Sequence, residues 1–164
     1  MKKNIQIILS TVTLSVALWG GVSYAHSEHF AKPTRSAELS YDFRSATMSI
    51  YKWYLSPMGA MVKGKMKFDA KTFAEYAQGL QDVSMLHLME GFPKDSGEDH
   101  VDDSNAKEEI WSNLADFETK FKTFQSEAKK LAVTANGGNE AAIKAQFKVT
   151  AGTCSSCHKK YKEK

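Results

Sequence analysis

Apolar residues recur along this chain in steps of four and three, the spacing that lines one face of an α-helix. A first stretch carries Ala37, Tyr41, Arg44, Met48, Tyr51, Leu55 and Met58 in that rhythm. Ser56-Pro57 is expected to interrupt it, because proline has no amide hydrogen and its ring crowds the preceding turn. Gly59 to Asp69 then reads as a connection. Asp69 suits the N-cap of a second helix bearing Phe73, Tyr76, Leu80, Val83 and His87 near one face, ended by Gly91-Phe92-Pro93. The segment from Lys94 to Asn105 is polar and acidic and reads as a solvated, variable loop.

A third helix, from near Ser104 to Asn136-Gly137-Gly138, has the cleanest stripe: Ile110, Leu114, Phe117, Phe121, Phe124, Ala128 and Leu131. The last helix begins near Glu140 and carries Ile143, Phe147, Ala151, Cys154, His158 and Tyr161. No strand pattern competes. Four amphipathic stretches with short connections predict an all-α fold, an antiparallel four-helix bundle.

The N-terminus changes which cysteine chemistry is plausible. Lys2-Lys3, an apolar run from Ile5 to Trp19 and the small-residue site Ser23-Tyr24-Ala25 have the layout of a cleaved secretory signal peptide over residues 1–25. The run is broken by Ser10, Thr11, Thr13 and Ser15 and is shorter than the roughly 20 residues of a membrane span. Cleavage leaves residues 26–164 as one domain and removes two of the 22 basic residues, so 20 face 19 acidic ones. That balance, with no recognisable module, excludes nucleic acid as a partner. Catalysis beyond redox exchange is not expected, since no nucleophile and base pair and no phosphate-cradling loop is present.

The candidate chemistry sits in Cys154-Ser155-Ser156-Cys157-His158. A structural zinc site needs four ligands, and the exported chain offers two cysteines with scattered histidines. A dithiol oxidoreductase places its cysteines at the start of a helix near a strand-helix-strand unit, not at the far end of an all-helical chain. A disulfide across two residues closes too small a loop to stabilise much. Covalent haem attachment accounts for every residue of the pattern: Cys154 and Cys157 bond to the macrocycle edge and His158 reaches the iron as the proximal ligand.

With that motif in place, followed by Tyr161-Lys162, the chain resembles the class II c-type cytochromes, cytochrome c′ and its low-spin relatives. Phe30-Ala31-Lys32-Pro33, Gly59-Ala60-Met61-Val62-Lys63-Gly64, Phe92-Pro93 and Ile110-Trp111 carry the resemblance in order along the exported chain. It implies a left-handed bundle around one covalent haem c, usually as a homodimer in the bacterial periplasm. The family places the residue over the other face of the iron four positions after an arginine and eleven before Gly59, which is Met48, after Arg44. If the Met48 sulfur binds iron, the protein is an electron carrier serving redox partner proteins; if Met48 only packs there, the iron is five-coordinate and takes nitric oxide or carbon monoxide. The Gly59-Ala60 and Phe92-Pro93 pairs favour the first reading. Arg44, a charge within an apolar stripe, is expected to contact a haem propionate, and Lys63 is a second candidate for it. Lys162 departs from the arginine of many relatives. His26 and His29 read as a solvated terminus and His87 as a core or edge histidine rather than a rival ligand.

Overall fold

The computed structural model describes residues 35–164. The expected leader and its cleavage site, His26, His29 and Phe30 to Pro33 lie outside the described residues. Four long or medium helices form an antiparallel bundle: α1 (Ala37–Val62), α2 (Ala70–Ser84), α4 (Leu114–Asn136) and α5 (Glu140–Tyr161). A single turn, Leu88–Gly91, and a short helix, α3 (Glu109–Ser112), lie between α2 and α4. Helix α4 packs on α2 and α5, and α1 closes the ring against α2 and α5. Among the described residues no helix is long and apolar enough to cross a membrane.

Side-chain caps start three of these helices. The Ser36 hydroxyl accepts from Leu39 N–H at 3.1 Å, the Asp69 carboxylate from Thr72 N–H at 2.7 Å and the Asn139 amide oxygen from Ala142 N–H at 3.0 Å. Each satisfies a donor that the first turn leaves unpaired. Asp69 is thus the N-cap that the sequence predicts.

Three expectations about boundaries need correction. Helix α1 runs through Pro57 to Val62 instead of stopping there. The carbonyl that loses its partner belongs to Trp53, which is 72% exposed, so water can replace the missing donor, while Met58 and Met61 beyond the proline are buried and hold the last turns down. Helix α2 ends at Ser84, leaving His87 with its side chain 83% exposed, 3.4 Å from Glu90. The third stripe is broken at Asn113, whose backbone (φ −130°, ψ 38°) leaves the helical region, so Leu114 is exposed rather than core.

Two apolar clusters result. The larger joins Met58, Phe73, Leu80, Leu131 and Ile143, with Phe73 edge-on to Phe147 at 5.9 Å. The smaller gathers Ala106, Ile110, Phe117 and Tyr161. Cys154 packs against the first and Cys157 against the second.

The closeness of α1 and α2 depends on Gly79, where an added Cβ would lie 2.3 Å from Cε1 of the Tyr54 ring. An alanine normally stabilises a helix interior relative to glycine by roughly 0.5–1 kcal/mol. Gly79→Ala is expected to do the reverse and cost about 1–3 kcal/mol, because a ring cannot yield cheaply in a packed interface. Gly152→Ala in α5, where an added Cβ meets nothing within 4 Å, is the control expected to stabilise. Denaturant unfolding of the two variants should give opposite signs.

Candidate functional site

The C-terminal part of α5 brings three reactive side chains to one cavity of about 550 Å³. Cys154 and His158 are four residues apart and Cys157 lies between, so all three project toward the same side. The size falls within the roughly 300–1,000 Å³ of small-molecule and cofactor sites. Its walls are mainly apolar: Leu55, Leu88, Phe92, Ile110, Phe117, Phe121 and Phe124.

Helix α1 lines the facing side. Tyr41, Arg44, Met48, Tyr51 and Leu55 border the cavity in steps of three and four, so one stripe of α1 carries both the expected arginine and the expected methionine. Met48 is 36% exposed. The structure therefore brings Met48 and Arg44 to the same cavity as Cys154, Cys157 and His158. Lys162 lines it as well, but Lys63 does not; it is the exposed C-cap of α1. His87 is not among the lining residues and offers no rival ligand there.

Burial governs the electrostatics. It pushes the Cys154 thiol above its ordinary pKa and the Cys157 thiol up to about 11, so both are protonated at neutral pH and not nucleophilic thiolates. The two cysteines are free of each other. Burial, with the Lys162 charge adding to it, lowers the His158 pKa. The imidazole is thus neutral at pH 7, the form that can donate a lone pair to a metal.

Tyr51 is the site residue that sequence reasoning missed, though its place three residues after Met48 puts it on the same stripe. Tyr51 is 6% exposed and its ring lies tilted against Phe124 with centroids 5.1 Å apart, yet its hydroxyl has no hydrogen-bond partner among the described residues. Desolvation, and to a lesser extent Cys154, pushes the phenol up to about 12. A buried orphan hydroxyl beside two free thiols in an apolar cavity fits a group that is largely flat and apolar but has polar atoms to offer.

Arg44 is 5% exposed and its guanidinium is held by neutral oxygens. Nη1 donates to the Gly91 carbonyl at 2.8 Å and to Ser96 Oγ at 3.2 Å; Nη2 donates to the Ser104 hydroxyl at 2.8 Å and to the Ser96 carbonyl. The rings of Tyr41 and Phe92 lie 5.5 and 5.2 Å from its centre. The four terminal bonds on the 91–104 segment are a role that the sequence did not suggest; Arg44 still borders the cavity. The same bonds correct the solvated reading of Lys94 to Asn105, because Ser96, Gly97, Val101 and Ser104 are buried.

The chain is similar to known proteins over nearly all of this bundle. Residues 40–162 match the family model described as Cytochrome C′. Cytochrome c′ of Halomonas halodenitrificans is 33% identical over 124 residues, covering 74% of this chain and 93% of that one. The structure of cytochrome c prime from Shewanella frigidimarina superposes with a TM-score of 0.74 at 32% identity, covering 80% of this chain and all of that one. A nitric oxide complex of a leucine-to-alanine mutant of the Alcaligenes xylosoxidans protein superposes with a TM-score of 0.71 at 26% identity, over 80% of this chain and 99% of that one. The bundle, the C-terminal Cys-x-x-Cys-His motif and this likeness agree: the chain belongs to the cytochrome c′ family, whose members carry a covalently attached haem c.

Proposed function

We propose that the protein is a periplasmic electron carrier whose haem iron is bound by His158 on one face and Met48 on the other. The observation that carries this reading is that α5 and α1, two separate helices, deliver His158 and Met48 to the walls of one cavity. A haem c held there supplies a one-electron iron couple, with a potential raised when the axial pair is histidine and methionine.

The chain's own residues have distinct tasks in this reading. Cys154 and Cys157, one helix turn apart on the cavity wall, would hold the macrocycle covalently. His158 is presented neutral, ready to bind iron without first losing a proton. The phenylalanine-rich wall excludes water and lowers the local dielectric, which tunes the potential. Arg44, which borders the cavity, would be the residue to meet a propionate. The leader pattern at residues 1–25 supports export, and redox partner proteins exchange electrons with it in the periplasm.

A second reading draws on the nitric oxide complex of the Alcaligenes relative. In it the iron is five-coordinate, Met48 packs over the open face and the protein binds nitric oxide or carbon monoxide. Optical and EPR spectra of the ferric protein separate the two. A low-spin spectrum with a sulfur-to-iron charge-transfer band is expected; a high-spin spectrum overturns the carrier reading in favour of gas binding.

A further inference from the structure

The segment between Gly91 and Lys107 is rich in acid yet pinned at both ends, and its two anchors lie on the two helices that carry Met48 and His158. On the α1 side the anchor is Arg44, one turn before Met48, through its bonds to Gly91, Ser96 and Ser104. On the α5 side the segment pairs with the chain just after His158. Lys107 N–H donates to the Tyr161 carbonyl at 3.1 Å, Glu163 N–H donates to the Asn105 carbonyl at 2.9 Å, and the Lys107 ammonium lies 2.8 Å from the Glu163 carboxylate. Ser104 connects the anchors: its hydroxyl oxygen accepts from Arg44 and, at 3.2 Å, from Ala106 N–H. The segment also walls the cavity between these anchors, through Phe92, Asn105 and Ala106.

Arginine suits this post because its planar fork makes several bonds in a fixed geometry, where a lysine holds a single rotatable point charge. Functional groups must be held to within about 0.5 Å by such supporting bonds. We propose that Arg44 is a positioning residue: through Ser96 and Ser104 it ties α1 to the end of α5 and thereby sets how closely Met48 approaches the iron that His158 holds. The proposal rests on the reading of Met48 as the residue over the distal face, and it assigns the 91–107 segment the role of a strap between the two axial positions.

The test uses the haem-loaded protein with Ser104→Ala, Arg44→Gln, Arg44→Lys and, as the reference for an iron without a sulfur beside it, Met48→Leu. Circular dichroism selects the variants that fold; Ser104→Ala removes one hydroxyl and keeps the experiment decisive if Arg44→Gln does not fold. The readouts are the ferric high-spin fraction and the rate of carbon monoxide uptake by the ferrous protein. Ser104→Ala and Arg44→Gln are expected to shift both toward the Met48→Leu values, by about tenfold in the ligation equilibrium or uptake rate, as for loss of one charge-assisted hydrogen bond. Arg44→Lys should recover part of the change. Folded Ser104→Ala and Arg44→Gln proteins with the wild-type spin state and uptake rate overturn the proposal. If the wild type is itself high spin and Met48→Leu leaves that spectrum unchanged, the ligation reading fails separately. The uptake rate then decides alone: an altered rate in Ser104→Ala supports the strap, and an unaltered one overturns it.

Discussion

A chain with both Cys154→Ala and Cys157→Ala is expected to leave no haem-stained band on a denaturing gel, whereas either single variant retains a stained band through its remaining thioether. The expectation follows from where the two sulfurs sit. Both line the cavity, both are free, and burial keeps both thiols protonated, so neither is spent on a disulfide or held as a reactive thiolate. The double variant should also lose its fixed tertiary packing. Without the group that fills it, the apolar cavity of about 550 Å³ leaves its phenylalanine-rich walls without packing partners. The helices, three of which have side-chain caps and which share Phe73, Leu80, Leu131 and Ile143 outside the cavity lining, should survive as a loose bundle. Retained far-ultraviolet dichroism with weakened near-ultraviolet dichroism and binding of a hydrophobic dye is the expected signature. A double variant that stained for haem, or that packed as tightly as the wild type, would contradict the assignment.

The second large effect is expected from Met48→Leu. Leucine and methionine have similar volumes, so the swap should cost less than about 1.5 kcal/mol of stability while removing the only sulfur that α1 offers to the distal side of this cavity. If that sulfur binds the iron, the ferric protein changes from low to high spin and the charge-transfer band disappears. The reduction potential should fall by an amount on the order of 0.1 V, a modest part of the roughly 0.8 V that axial ligands span. Carbon monoxide should then bind the ferrous variant readily and the wild type poorly. Identical spectra of the two proteins would mean that Met48 packs over the iron without binding it.

The parts of this molecule that are written as repetition were legible in the sequence. Stripes at helical spacing gave the four bundle helices, Asp69 announced the start of α2, and the paired cysteines with the adjacent histidine pointed to the end of α5 that lines the cavity. What escaped depends on partners distant in sequence. Ser96 and Ser104 look like loop residues until Arg44, 52 and 60 positions away, is seen to bury them. Pro57 looks like a helix end until Met58 and Met61 are seen packed into the core beyond it. The break at Asn113 is a backbone event inside an unbroken apolar stripe, so periodicity carries no trace of it. Tyr51 reads as one more core aromatic, and only its unpartnered hydroxyl distinguishes it.

The two cysteines have a consequence for how the protein comes apart. Cys154 packs against the larger cluster and Cys157 against the smaller, so a rigid macrocycle bonded to both would span the seam between them. Four residues, Ala106, Ile110, Phe117 and Tyr161, are too few to hold together alone against chain entropy. Phe92 packs against both clusters, and the proposed tether would couple their melting further, so that the cooperativity of unfolding would depend on the thioethers as well as on the helices.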